Sequence, residues 1–217
     1  MASIEHPGGL DHPIFSESIA RIRRQLGDTG LEGVQQEVLE RLVHSSGDLS
    51  IGALLRFSPG ACKAAITALR GGATILTDTA MAAAAVVPMA RRTFANPVIC
   101  VLDLAPDTAP EGSTRSAEGM ERTLAAHGPV VVLIGSAPTA LERLLTLWES
   151  AQVSAPALVI GMPVGFVGVE ASKRHLAASG LPQIRLEGSR GGAGLAAATV
   201  NALLRRGWLD QAALGAG

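Results

Sequence analysis

Proton chemistry near neutral pH calls for an imidazole, and this chain has five: His6, His12, His44, His127 and His175. His44 stands out because it falls in the last turn of a helical run, just before Ser45-Ser-Gly-Asp48. An imidazole titrates near about pH 6.5 and can give or take a proton there. The negative end of a helix dipole favours its charged form, which suits a proton donor. A histidine bonded to backbone at a helix end fits the same pattern, and for a lone histidine it is the stronger reading. His6 and His12 lie near the amino terminus, while His127 and His175 read as helix-surface residues. No two histidines have ligand spacing, so no protein-bound metal is expected. Cys62 and Cys100 stand apart without C-x-x-C, in a predicted helix and strand where inert thiols are usual. No G-x-S-x-G elbow offers a serine nucleophile.

Anion chemistry has three candidate turns. Thr114-Arg115-Ser116 opens a predicted helix after the loop 105–114, which is long beside the roughly two to six residues usual between strand and helix. Hydroxyls flanking an arginine beside free helix N–H groups make a carboxylate receptor. A capped helix with a solvent-facing arginine accounts for them equally well. Gly135-Ser-Ala-Pro-Thr139 also follows a strand, with Ser136 suited to the cap and Pro138 to the first turn, and capping alone explains it. Gly188-Ser-Arg-Gly-Gly192 is the third. Asp78 reads as a base, a hydrogen-bond acceptor or a helix cap.

The stretch Ala157-Leu-Val-Ile-Gly-Met-Pro-Val-Gly-Phe-Val-Gly168 is different in kind. A buried apolar strand runs into glycines at 161, 165 and 168, with Met162, Pro163, Val164, Phe166 and Val167 between them. It has neither G-x-G-x-x-G nor a terminal Gly-Lys-Ser/Thr, so it is no phosphate loop. A wall for a large, partly apolar ligand is one reading; a tight turn packed in the core is the other.

The elements that would position these groups alternate. Phe15, Ile19, Ile22 and Leu26 recur at helical spacing behind Pro13, with Asp11 or His12 as cap. A second helix starts near Leu31 and ends at His44, and a third runs from Ser58-Pro59 to Leu69. Strands are expected at Thr74–Thr77, Val98–Leu102, Val130–Ile134, Ala157–Ile160 and Gln183–Leu186. Between and after them lie helices at Met81–Val87 (capped by Asp78 or Thr79), from Thr114, from Pro138 to Trp148, from Val169, and a last one to about Arg205. Strand–helix alternation predicts an α/β fold: a doubly wound, mainly parallel five-stranded sheet with helices on both faces. The turns after Ile134, Ile160 and Leu186 then share one sheet edge, where such folds bind ligands. Residues 11–209 are expected to form one domain, with a flexible tail at 1–10 and another tail at 210–217.

Hydrophobic residues make up 47% and charged residues 17%, with a formal net charge of −1. Such a charge offers nucleic acid no attractive field. The basic residues are nearly all arginine, with lysine only at Lys63 and Lys173. Met1 to His12 lacks the pattern of a secretory signal, and apolar windows such as Val130–Ile134 are too short to span a bilayer. A cytoplasmic protein without a membrane partner is expected.

These residues together resemble the precorrin-8X methylmutase family, also called cobalt-precorrin-8 methylmutase. The matching segments are Ile14 to Arg23 with Ser18, Arg41-Leu-Val-His44, Thr74-Ile-Leu-Thr-Asp78 with Met81, and Thr114-Arg-Ser-Ala117. Gly135-Ser-Ala-Pro-Thr-Ala-Leu141, Gly161-Met-Pro-Val-Gly-Phe-Val-Gly168 with Ser172-Lys173, and Arg190-Gly-Gly192 continue the series. The resemblance implies an α/β homodimer, its active site near the subunit interface, that binds a tetrapyrrole substrate and product. The reaction moves a methyl group from C11 to C12, giving hydrogenobyrinate from precorrin-8X or cobyrinate from cobalt-precorrin-8, without cofactor or methyl donor. It implies His44 as the catalytic proton donor. Substrate contact is implied for Ser18, Asp78, Thr114, Arg115, Ser116, Ala137, Pro138, Gly161, Met162, Pro163, Gly165, Gly191 and Gly192. Ser136 stands where asparagine is usual, Ala193 where serine is usual, and Ala84-Ala85 where a glycine normally follows a variable residue. These departures raise the alternative of a non-catalytic tetrapyrrole carrier.

Overall fold

The computed structural model describes residues 11–215. The expected tail at 1–10, with His6, and the last two residues of the expected carboxy-terminal tail lie outside the described residues. In chain order the elements are α1 (Pro13–Leu26), α2 (Gly33–Ser46), β1 (Leu55–Phe57), α3 (Ala61–Arg70), β2 (Thr74–Thr77) and α4 (Ala80–Arg92). Then come β3 (Val98–Cys100), α5 (Arg115–Ala126), β4 (Val130–Ile134), α6 (Pro138–Glu149), β5 (Leu158–Gly161), α7 (Val169–Ala178), β6 (Gln183–Leu186) and α8 (Ala193–Gly215).

Alternation along the strands builds two helical layers. Ile75, Val131, Leu133, Leu158 and Ile160 pack with residues of α2, α3, α4 and α8. Leu76, Val130, Val132, Ile134 and Val159 pack on the other face with α5, α6 and α7. All five residues of β4 are buried, as a strand covered on both faces requires. Each such side chain contributes about 1.5–3 kcal/mol by leaving water.

The sheet order is β1-β6-β5-β4-β2-β3. The α/β class and the helices on both faces agree with expectation, but the sheet has six strands rather than five. The additional strand, β1, runs antiparallel to β6, pairing Leu55 with Leu186 and Phe57 with Ile184. Its three residues are too few to show a periodicity, and the pairing is made across more than a hundred positions of chain. Ser58 extends it by donating to the Gln183 carbonyl, so α3 starts at Ala61 rather than at Ser58-Pro59. After β3 the chain tightens into a 3-10 turn at Val101–Asp103. The last helix passes Arg205 and continues to Gly215. Its second half is tied down by Arg205 to Asp11 and by Arg206 to Glu37 and Asp210. Asp11 is therefore spent on an ion pair, and His12 caps α1, its Nδ1 accepting from the Ile14 N–H at 3.2 Å.

Candidate active site

The crevice follows from the strand order. β2 and β4 are spatial neighbours, yet α4 leaves β2 towards one face and α6 leaves β4 towards the other. Their carboxyl ends form the switch point at which α/β sheets open. Asp78, just past β2, bridges it. Its Oδ2 accepts the N–H groups of Gly135, Ser136 and Ala137 at 3.0, 2.6 and 2.8 Å. The residue is 1% exposed, and its Oδ1 is buried without a hydrogen-bond partner among the described residues.

The structure selects between two expected caps at α4 and changes the expected cap at α6. Thr79, not Asp78, caps α4, accepting from the Ala82 N–H. Ser136 does not cap α6; the cap residue is Ala137, without a side-chain bond, and Ser136 is exposed. The amides that open α6 already hold the protein's own carboxylate.

The opening of α5 is arranged otherwise. Thr114 caps it by accepting from the Ala117 N–H, and its hydroxyl also lies 3.1 Å from Ser116 Oγ and 2.8 Å from Thr139 Oγ1. Thr139, one residue into α6, joins the cluster although the sequence assigns it no role; its proximity depends on α5 and α6 packing side by side. Arg115 is exposed and donates through Nε to the Pro106 carbonyl at 2.9 Å, pinning the long loop before α5.

The glycine-rich stretch after β5 divides in two. Gly161, Met162 and Pro163 are buried, as the packed-turn reading has it. Met162 donates to the Ile134 carbonyl and accepts from the Gly192 N–H, both at 2.8 Å. Gly165 donates to the Ser189 carbonyl at 3.1 Å. A Cβ on Gly191 would stand 2.0 Å from the Met162 carbonyl oxygen, so only glycine permits this approach. The tip is the opposite: Phe166 is 96% and Val167 88% exposed. Met81, at the opening of α4, is likewise exposed.

His44 belongs to a second group of residues. It sits in the last turn of α2, which Gly47 closes in the left-handed conformation with its N–H on the Val43 carbonyl. Its Nδ1 lies 2.9 Å from Ser18 Oγ, and its ring meets Phe15 edge-on at 5.1 Å. Arg41, one turn earlier, stacks over the same Phe15 ring at 4.7 Å. Partial desolvation, then the Arg41 charge, holds the imidazole below its ordinary pKa. This direction is opposite to the one its helix-end position predicts. The bond and the ring contact go to α1, and neither reaches the sheet edge. Arg190 connects the two groups: it leaves the turn after β6 and binds Asp48 at 2.7 Å and Ser50, just beyond His44.

Burial pushes the Cys62 thiol up to about 11, which leaves it unreactive. His175 is held between Glu142 and Glu149 at 2.7 and 2.8 Å. Among the described residues no helix is long and apolar enough to cross a membrane.

With this geometry in view, the comparisons with known proteins agree with one another. A family model described as precorrin-8X methylmutase matches residues 13–206. The chain is 40% identical to a cobalt-precorrin-8 methylmutase of Synechocystis sp., over 93% of this chain and 98% of that one. It is 43% identical to a precorrin-8X methylmutase of Pseudomonas aeruginosa, over 88% and 93% of the two chains. A solved precorrin-8X methyl mutase from Thermus thermophilus superposes with a TM-score of 0.81 at 34% identity, covering 91% of this chain and 96% of the other.

Proposed function

The chain belongs to the precorrin-8X methylmutase family and is an isomerase of cobalamin biosynthesis, and we propose that His44 lends the proton that drives its methyl migration. An isomerisation conserves the molecular formula. A proton given to the macrocycle must therefore return, and one group can act first as acid and then as base. The C11–methyl bond breaks as the C12–methyl bond forms, and the proton goes back to the imidazole. The observation that carries this reading is the Ser18–His44 bond: it occupies Nδ1 at 2.9 Å and leaves Nε2 unpartnered among the described residues on an exposed ring. Orientation through one ring nitrogen is how a histidine is set up to work through the other.

The lowered His44 pKa fits a polycarboxylate substrate. Carboxylates arriving near Arg41 and His44 offset the cationic charge and favour the imidazolium, so substrate binding itself charges the acid. We assign the remaining peripheral carboxylates to Arg115, with Thr114, Ser116 and the added Thr139 beside it. The apolar ring system lies against the Gly165 side of the glycine-rich loop and the Ala137–Pro138 turn, with Gly191 and Gly192 beside them. Asp78, Gly161, Met162 and Pro163 act by holding that wall in place.

A homodimer with the cleft near the subunit interface accounts for the exposed Phe166, Val167 and Met81, and the cytoplasm is the proposed location. Sedimentation at micromolar concentration should give a dimer; a monomer would contradict the shared cleft. Purified protein incubated with precorrin-8X, and separately with cobalt-precorrin-8, should convert at least one to the absorption spectrum of the corrin product. Firm product binding without turnover of either would point instead to a carrier.

A further inference from the structure

Lys173 is one of two lysines in the chain, and it is 2% exposed. A buried ammonium needs partners for its charge. This one has two backbone carbonyls, Gly188 at 2.8 Å and Arg190 at 2.6 Å, and no carboxylate within bonding distance among the described residues. The charged groups that line the same cavity are Glu170 and Arg174 on α7, Arg185 on β6 and Glu187 just after it. Glu170 is turned to Arg174 at 3.7 Å, and Glu187 to Arg56 at 2.8 Å and to Arg185 at 3.6 Å. The lysine is thus committed to one task, gathering the 188–190 backbone.

That turn touches both groups of site residues. Ser189 and Gly192 bond to Gly165 and Met162 of the glycine-rich loop. The Arg190 side chain reaches Asp48 and Ser50, four and six residues beyond His44. We propose that Lys173 is a positioning residue: by fastening the 188–190 turn it sets the end of α2, and so His44, against the cleft wall built on β5. The inference rests on the reading of His44 as the proton donor. Burial also lowers the lysine's pKa to about 8, so the fastener loosens at alkaline pH within the range of an assay.

The test compares kcat and KM of the wild type, Lys173→Met and Lys173→Arg from pH 6 to 9.5, with folding followed by circular dichroism. At pH 7 the methionine variant should lose roughly tenfold or more in kcat while KM changes less, as a misplaced catalytic group does. The ratio of wild-type to methionine-variant kcat should then fall as the pH passes about 8, because the neutral amine of the wild type holds the two carbonyls less strongly than the ammonium does. Taking the ratio cancels the titration of His44. The arginine variant, which keeps its charge, should restore part of the rate without the deflection. A ratio of one throughout, or one that does not change with pH, overturns the proposal.

Should neither variant fold, amide exchange of the wild type decides. Protection at Gly165 and Gly192, corrected for base catalysis, should drop between pH 7 and 9.5 while β4 stays protected; unchanged protection overturns the proposal. If His44→Ala is inactive and Lys173→Met unimpaired, the fastener alone fails. If His44→Ala keeps full activity while Lys173→Met is impaired, the proton-donor reading fails instead.

Discussion

At the carboxyl edge of the sheet the turns after β4, β5 and β6 are held by backbone amides and one buried carboxylate, whereas on the α1–α2 face His44 is held only by side chains. Asp78 holds three amides at once, and the turns after β4, β5 and β6 bond to one another or press close through glycine. His44 is held by a single side-chain bond to Ser18 and a ring contact to Phe15. Shape is thus carried by backbone contacts that tolerate little change, and proton chemistry by a side chain with room to meet a ligand. Mutations in the two regions should accordingly fail in different ways, the first by unfolding and the second by losing rate.

The largest stability effect should come from Asp78. Asp78→Ala leaves three amides without their acceptor and removes hydrogen bonds to a charged group, each worth about 1.5–3 kcal/mol, so a loss of about 3 kcal/mol or more is expected by denaturant unfolding. A loss within experimental error would mean that the β4–α6 turn stands without it. Ser18→Ala should behave in the opposite way. Its stability should stay within about 0.5 kcal/mol of wild type, as for a partly exposed residue outside the core. Its kcat should fall roughly tenfold, because the ring loses its orienting partner. A Ser18→Ala variant that is as fast as wild type, or that unfolds, would erase the contrast.

The smallest effect lies away from both regions, at the clasp between α6 and α7. Glu142 first, and Glu149 with it, raise the pKa of His175. A raised folded pKa stabilises fully below the unfolded value of about 6.5, and the gain is lost as the pH rises through the folded value. The stability gap between wild type and His175→Gln should therefore be wider at pH 5.5 than at pH 8.5. It should stay under about 1 kcal/mol, since the three side chains are a third to a half exposed. A gap that widens with rising pH would contradict the assignment.

The parallel strands can be read from sequence because each is a short apolar run bounded by turn residues, and burial on both faces demands just that composition. β1 carries no such mark. Leu55–Phe57 is a strand because β6 offers an open edge, which is a property of the assembled sheet. The site divides in the same way. The opening of α5 at Thr114 is a local matter of capping chemistry and is readable. That Asp78 serves α6 instead of its own helix, that Thr139 joins Thr114, and that Arg190 reaches Asp48 all depend on distant segments meeting. The direction of the His44 pKa belongs here in part: the helix end predicts a rise, while partial burial against α1, and then the charge of Arg41 one turn earlier on the same helix, produce a fall.

The central claim is that the exposed imidazole, and not the sheet edge, supplies the proton. Single-turnover conversion of the accepted substrate by wild type and His44→Ala, with product affinity measured on both, tests it most directly. The variant should stay folded and bind product as wild type does, while migration slows by about 10²–10⁴-fold, the range of general acid–base catalysis. Conversion at the wild-type rate would contradict the claim.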